Sequence, residues 1–111
     1  MSHDKMKDNV IRILSHDINI EFSNPDLWSD GGLGRACLKA SKISLNDNLS
    51  TDLTLSTLLH ECIHIISNMM DLELSESQVS GVGNGIFTII KDNHEYIKEL
   101  VSLIETTINN R

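Results

Sequence analysis

The 111-residue sequence has few cysteines, a single proline, no long apolar run and a shortage of positive charge. One proline among 40 % hydrophobic residues argues against long disordered segments. Two cysteines, Cys37 and Cys62, are too few for a disulfide framework, and we expect reduced thiols packed as small apolar side chains. No run approaches the ~18 apolar residues of a membrane span. The first residues, from Met1 to Lys5, lack the apolar core of a signal peptide, which predicts a cytoplasmic protein.

Charge and length limit the classes of function further. A formal net charge of −7 disfavours direct binding to nucleic acid, because the phosphates would repel an acidic surface. The same charge is compatible with a basic protein as partner. A chain of this length predicts one domain over residues 1–111, large enough to bury roughly 65 % of its unfolded surface in a single core.

The strongest chemical signal is the stretch His60-Glu61-Cys62-Ile63-His64. Residues four apart lie on one face of a helix, so His60 and His64 can offer imidazole nitrogens to the same ion. Glu61 is displaced by about 100° around the helix, which places it beside the metal, where it can take a proton from a bound water. The pattern H-E-x-x-H is the helix-borne signature of zinc peptidases. It therefore predicts Zn²⁺ as cofactor and Glu61 as general base.

The alternative is that the five-residue pattern arose by chance and that its histidines are ordinary core residues. The flanks, at residues 56–59 and 65–66, are uncharged, and so are the two inner positions. Two histidines and a glutamate in such an apolar helix would be costly to bury without a partner. A metal ion supplies that partner, so we favour the metal interpretation.

Hydrophobic periodicity predicts a small α+β domain, with a short, mainly antiparallel sheet of about three strands packed on three to four helices. Alternating and apolar segments indicate strands at residues 18–22, 33–38 and 41–45. Lys39-Ala40 is a candidate turn between the last two, but it lacks glycine and asparagine, so one bent strand is the alternative. Helical spacing indicates helices at about residues 2–15, 52–70, 76–90 and 94–108, the second of them buried and carrying the H-E-x-x-H motif. Asn93 is the expected N-cap of the last helix, whose packing stripe is Ile97, Leu100, Val101 and Ile104.

A catalytic zinc site takes three protein ligands, so a third is needed. Asp71, Glu73 and Glu76 all follow the motif. Ser75 and Gln78 match a capping box that starts a new helix, and Glu76 lies at the edge of its inward apolar face. A carboxylate there needs a cation or a donor, which favours Glu76. The alternative is that Glu76 interacts only with the N-terminus of its own helix.

With these residues in place, the sequence resembles the gluzincin group of zinc metallopeptidases, and within it the ImmA/IrrE-like family of bacteria and phages. The resemblance covers about residues 17–92, from the strands to the helix that begins with the glutamate. It implies a minimal zincin-like domain in which His60, His64 and Glu76 bind zinc and Glu61 is the general base. It also implies a protein or peptide substrate inside the cell, such as a transcriptional repressor.

Two related groups of zinc peptidases fit less well. The metzincin pattern needs a glycine where Ser67 stands and a histidine where Met70 stands. The SprT-like pattern needs a third histidine soon after the motif, and the next one is His94.

The glycine-rich segment Gly81-Val82-Gly83-Asn84-Gly85 could suggest a nucleotide-binding loop. It lies within a predicted helix and follows no strand, so it lacks the context that a dinucleotide site requires. We expect it to pack closely against the H-E-x-x-H helix instead, at a cost of roughly 1 kcal/mol of helix propensity per glycine.

Two functions therefore remain open: a metallopeptidase that hydrolyses peptide bonds, and a zinc-binding interaction protein without useful turnover. By resemblance, a gluzincin also needs a tyrosine or histidine to stabilise the oxyanion. The available residues are Tyr96, His94, His3 and His16, and the sequence does not choose among them. For the substrate, the strand that precedes the motif helix is expected to offer an edge where an extended peptide can pair.

Overall fold

The computed structural model describes residues 9–24 and 32–110. This part of the chain forms a small α+β domain, as predicted. Its elements, in order, are β1 (Asn9–Ile13), β2 (His16–Ser23), β3 (Gly34–Cys37), β4 (Lys42–Asn46), α1 (Thr51–Met69), α2 (Glu76–Asp92) and α3 (His94–Asn109). His3 and Trp28, which the sequence analysis considered, lie outside the described residues.

The four strands form one mixed sheet in the order β1-β2-β4-β3. The β1–β2 and β3–β4 pairs are antiparallel, and β2 runs parallel to β4. The sheet is thus mainly antiparallel, as expected, but it has four strands where about three were predicted. Residues 38–41, which include the predicted Lys39-Ala40 turn, connect β3 to β4.

The additional strand is β1, where the sequence pattern had predicted a helix over residues 2–15. That helix prediction was wrong for the described residues 9–15. Leu14 and Ser15 both have positive φ, 47° and 70°, and they form the two-residue turn of a hairpin in which Ile13 pairs with His16. Turns of this kind usually contain glycine or asparagine, so Leu14-Ser15 gave no turn signal. Without a turn signal, Val10, Ile11 and Leu14 fitted the spacing of a helix.

The core lies between one face of the sheet and α1. Alternation along the strands directs one set of side chains inward: Ile13, Ile18, Ile20, Ile43 and Leu45. Ile65 of α1 is fully buried against them, with Leu58, Cys62, Ile66 and Met69 packed around it. Helix α1 therefore lies between two layers and packs against the sheet on one side and against α2 on the other.

Local capping fixes the ends of the two central helices. The side chain of Ser50 accepts a hydrogen bond from the backbone N–H of Leu53, so Ser50 is the N-cap of α1. Helix α2 begins with the predicted capping box, in which Ser75 and Gln78 bond reciprocally to each other's backbone N–H. Because α1 and α2 pack antiparallel, the end of α2 lies beside the start of α1. There Nζ of Lys91 lies 2.8 Å from Oδ2 of Asp52.

Helix α3 differs from its predicted packing. It contains no buried residue, and its principal neighbour is α2, so the stripe at residues 97, 100, 101 and 104 is not part of the core. Asn93 is the N-cap by position, but its side chain makes no capping hydrogen bond. Its amide instead donates to the carbonyl of Ile89 in the preceding helix. The predicted capping role of the Asn93 side chain was therefore wrong.

Within residues 9–24 and 32–110, no helix combines the length and the apolar character needed to cross a membrane.

The two cysteines provide a test of how α1 packs. Burial raises the pKa of the Cys62 thiol to about 11, whereas Cys37 lies exposed on β3. A thiol with that pKa is about one-thousandth thiolate at pH 8, and the thiolate is the reactive form. We expect iodoacetamide at pH 8 to alkylate Cys37 first and to leave Cys62 largely unmodified in the folded protein, as followed by peptide mass spectrometry. Equal labelling of the two without denaturant would show that α1 is not packed on the sheet in this way.

Candidate metal centre

The two histidines of the motif lie on one face of α1 and point to a common position. Their Nε2 atoms are 3.2 Å apart, and their side chains are about one quarter exposed, 23 % for His60 and 28 % for His64. The rings meet edge to face, with centroids 4.8 Å apart. The four-residue spacing of the sequence thus gives the convergence that metal ligation requires.

Glu76 completes the cluster from the first turn of α2. One carboxylate oxygen, Oε1, lies 2.6 Å from Nε2 of His60, and the other, Oε2, lies 3.0 Å from Nε2 of His64. The side chain is 70 % exposed, so the cluster lies at the rim of the fold and is open to solvent. Glu76 therefore does more than interact with the N-terminus of its own helix.

The short connection between α1 and α2 determines which carboxylate reaches the histidines. Asp71 and Glu73 have left-handed backbones, with φ of 57° and 55°, which reverse the chain within a few residues. Ser67 holds this turn, because its carbonyl accepts from the N–H of Leu72 and its hydroxyl accepts from the N–H of Leu74. Among the described acidic residues, only Glu76 offers a ligand atom close to both histidines.

The three side chains fit a tetrahedral zinc ion. Their ligand atoms all lie within 4.8 Å of one another. Ligands at roughly 2.0–2.1 Å from a tetrahedral zinc are separated by roughly 3.3 Å, close to the 3.2 Å between the two Nε2 atoms. The oxygens of Glu76 lie 2.6 and 3.0 Å from the Nε2 atoms, which is the distance of a hydrogen bond. A shift of this carboxylate away from the rings by less than ~1 Å would bring these separations to roughly 3.3 Å, as in a tetrahedral zinc site. Two imidazoles and one carboxylate are also a donor set that zinc accepts in catalytic sites, with a fourth position left for water.

Glu61 is buried beside this cluster and has only 7 % of its surface exposed. Burial raises the pKa of its carboxyl, and the charge on Glu76 raises it further, while the nearby His60 and His64 lower it. A raised pKa moves a carboxylate closer to the range in which it can accept and release a proton near neutrality. Its position next to the histidines suits a general base.

An open cleft of about 350 Å³ adjoins the cluster. It lies between α1, α2 and the beginning of β3. Its walls are Leu33, Gly34, Leu53, Ser56, Thr57, His60, Glu61, Glu76, Ser80, Gly83 and Asn84.

The edge strand beside the cleft is β3, not β4. The sequence analysis assigned the edge to the strand just before the motif helix, but β4 is flanked by β2 and β3, so this prediction was wrong. The N–H of Asn46 bonds to the carbonyl of Leu33, and Gly34 pairs with Leu45 in the register. In an antiparallel pair the backbone groups point alternately toward and away from the partner. The N–H and C=O groups of Gly34 and Ala36 therefore point away from β4, toward the edge of the sheet, where no other described strand pairs with β3.

Gly34 is a residue of the cleft wall that the sequence analysis missed. A Cβ at this residue would lie 2.7 Å from Cγ2 of Thr57 and 3.3 Å from Cγ of Glu61. Glycine thus lets β3 approach α1 beside Glu61. No local pattern marks this glycine, since the contact joins a strand to a helix more than twenty residues later. Ser80 and Asn84, which line the cleft from α2, were also missed, although their spacing from Glu76, at four and eight residues, places all three on one helix face.

Of the expected oxyanion donors, Tyr96, His94 and His16 do not line the cleft, and His3 lies outside the described residues. Tyr96 is 64 % exposed on α3, and His94 lies 3.0 Å from Glu95 on the same helix. The ring of His16 lies near the carbonyl of Leu14 at the β1–β2 turn. Among the described residues, the hydrogen-bonding side chains in the cleft besides the cluster and Glu61 are Ser56, Thr57, Ser80 and Asn84.

The identity of the third ligand can be tested with two matched substitutions, Glu76→Ala and Glu73→Ala. The wild type should hold one zinc ion per chain, and zinc should raise its melting temperature. A direct zinc ligand matters more than a residue that only contacts a ligand. The loss of Glu76 should therefore weaken zinc binding by more than the roughly 10–100-fold typical of outer-shell changes. Glu73→Ala should behave as the wild type. Metal analysis after dialysis and thermal melts with and without zinc would measure both, and loss of zinc only from Glu73→Ala would refute the assignment.

Substitution by alanine should change the stability in opposite directions at Gly34, where β3 lies close to α1, and at Gly85, which has open space around it. Gly34→Ala should lower the free energy of unfolding by ~1–3 kcal/mol, because the methyl group meets the buried Thr57. Gly85→Ala, on an open face of α2 with nothing within 4 Å, should raise it by about 1 kcal/mol through helix propensity. Urea denaturation followed by circular dichroism would measure both. Similar stabilities for Gly34→Ala and the wild type would mean that β3 does not approach α1 so closely.

Comparison with known proteins adds no relative: no protein-family model, no curated protein and no solved structure matches the chain.

Proposed function

We propose that this protein is a small zinc-dependent metallopeptidase of the gluzincin type. The observation that carries the proposal is the convergence of His60, His64 and Glu76 beside the buried carboxyl of Glu61. The fold is compatible with the minimal zincin-like domain that the ImmA/IrrE-like resemblance implies. The ion itself is part of the proposal, and it rests on the chemistry and spacing of these donors.

The proposed reaction is hydrolysis of a peptide bond by water. Zinc held by the three ligands would acidify a water molecule and polarise the scissile carbonyl. Glu61 accepts one proton from the attacking water as its oxygen bonds to the carbonyl carbon. The carbon–nitrogen bond then breaks, and Glu61 passes that proton to the departing amine, so that its carboxylate is regenerated.

The open edge of β3 is the proposed place for the substrate backbone. Gly34 lies at the cleft, so an extended peptide paired with the outward N–H and C=O groups of Gly34 and Ala36 would run past the cluster. Ser80 and Asn84, on the opposite wall, are the side chains we expect to bond to the substrate.

By resemblance, the proposed substrate is a protein within the cell, such as a transcriptional repressor. A cytoplasmic location is part of this proposal. The two cysteines are free thiols in the structure, which suits a reducing compartment. No part of the proposal involves binding to nucleic acid, since the chain carries a net charge of −7.

One observation favours a second candidate function, a zinc-binding interaction protein with little turnover. Neither Tyr96 nor His94 lies in the cleft, so within the described residues the site has no tyrosine or additional histidine to stabilise an oxyanion. Such a protein would bind zinc and a peptide without cleaving it.

Substitution of Glu61 by Gln separates the two functions. Wild-type protein with one equivalent of zinc should cleave members of a library of internally quenched peptides, and Glu61→Gln should be slower by ~10²–10⁴-fold because the general base is lost. Zinc content should stay unchanged. Fluorescence and metal analysis would measure the two quantities.

The matched control is Glu73→Gln, which removes a carboxylate from the same region without touching the cluster. It should cleave at the wild-type rate. Equal cleavage by wild type and Glu61→Gln would contradict the peptidase mechanism, and zinc binding without cleavage by the wild type would favour the interaction protein.

A further inference from the structure

Helices α2 and α3 both expose large apolar side chains, which together we call the α2–α3 apolar face. Each of its residues is between 38 % and 64 % exposed. On α2 they are Val82, Ile86, Ile89 and Ile90, and on α3 they are Tyr96, Leu100, Val101, Leu103, Ile104 and Ile108.

Helical spacing keeps these residues together. At about 100° per residue, the six on α3 span roughly 160° of the helix, and no charged residue interrupts that arc. The charged residues of α3, such as Glu95, Lys98 and Glu105, occupy the other side. A helix with such a stripe and no buried residue has an apolar face that the described part of the chain leaves uncovered.

The apolar face of α2 is separated from the metal cluster partly around the helix and partly along it. Glu76, Ser80 and Asn84 follow one another at four-residue intervals along the side that borders the cleft. Val82 and Ile89 are more than 100° away from all three around the helix axis, whereas Ile90 is only about 40° from Glu76 but about 21 Å further along α2. A partner centred on Val82 and Ile89 would therefore leave the cleft open.

We propose that the α2–α3 apolar face binds a second copy of this chain through a two-fold interface. A large apolar residue has on the order of 170 Å² of surface to bury, so ten such residues at about half exposure present on the order of 800 Å². That is the area per partner of a standard protein–protein interface. Under two-fold symmetry, α2 and α3 pack against the same two helices of the partner to form a four-helix layer.

The composition of the face favours a second copy over other occupants. Apart from Tyr96 it consists of isoleucine, leucine and valine, and it carries no charge that a different partner would have to match. Interfaces between identical subunits are the more apolar class and resemble a domain core cut in two. The segments outside the described residues, 1–8 and 25–31, contain only four large apolar side chains, Met1, Met6, Leu27 and Trp28, against ten on the face.

Sedimentation velocity tests the proposal on the full chain at concentrations up to about 100 µM, where a micromolar interface is occupied. The wild type should have twice the monomer mass of 12.4 kDa. Association should strengthen with added salt, because two chains of net charge −7 repel each other and salt screens that repulsion.

Two variants place a charge in the face without touching the monomer core: Ile104→Glu on α3 and Ile89→Glu on α2, both at residues 58 % exposed. Each should weaken the dimer by at least ~30-fold, the effect of losing a central interface residue. The matched control, Ser102→Glu, lies on the opposite side of α3 and should remain dimeric. Circular dichroism checks that each variant keeps its helices. If Ile104→Glu does not fold, Ile89→Glu alone tests the interface.

A monomeric wild type, an assembly larger than a dimer, or a dimer that both charge substitutions leave intact would each overturn the proposal. The dimer does not depend on the metal, so Glu76→Ala should keep the wild-type mass. Failure of the metallopeptidase proposal would therefore leave this result unchanged.

Discussion

The contact that joins α1 to α2 at the histidines is the constraint on which the rest of the site depends. One carboxylate, that of Glu76, reaches the Nε2 atoms of both His60 and His64 across the two helices. Its reach requires α2 to start where it does, which the capping box of Ser75 sets, and to lie close to α1. Close packing is allowed at Gly83, where a Cβ would lie 3.7 Å from the Cα of His60.

The same contact explains why three polar side chains converge in an otherwise apolar region. Two imidazoles and a carboxylate can form hydrogen bonds with one another, but such bonds alone do not need a carboxyl group like Glu61 buried alongside. A divalent cation would account for all four groups, because it would take three as ligands and stabilise negative charge on the fourth. This is the physical basis for preferring a metal centre to a simple polar cluster.

Features encoded by neighbouring residues could be predicted from the sequence. The helix of the H-E-x-x-H motif, the capping box at Ser75 and the proximity of Glu76 to the two histidines all depend on spacings within about sixteen residues. The glycine segment was also interpreted correctly in part, because Gly83 packs on α1 while Gly81 and Gly85 have open space around them. The identity of the ligands and of the metal remains a prediction.

Features that depend on distant parts of the chain could not be predicted. The parallel pairing of β2 with β4 moves the sheet edge from β4 to β3, and a strand sequence carries no record of its order in the sheet. The role of Gly34 arises only once that edge lies against Thr57. Apolar periodicity showed that α3 has a packing face but not what that face packs against. An amphipathic pattern is the same for a core contact and for contact with another chain.

The central claim is that His60, His64 and Glu76 bind one zinc ion. A crystal structure of the protein with stoichiometric zinc, with anomalous diffraction recorded at the zinc edge, tests it most directly. The account predicts one anomalous peak per chain, at roughly 2.0–2.1 Å from both Nε2 atoms and from an oxygen of Glu76. A peak elsewhere in the chain, or none at full zinc loading, would contradict it.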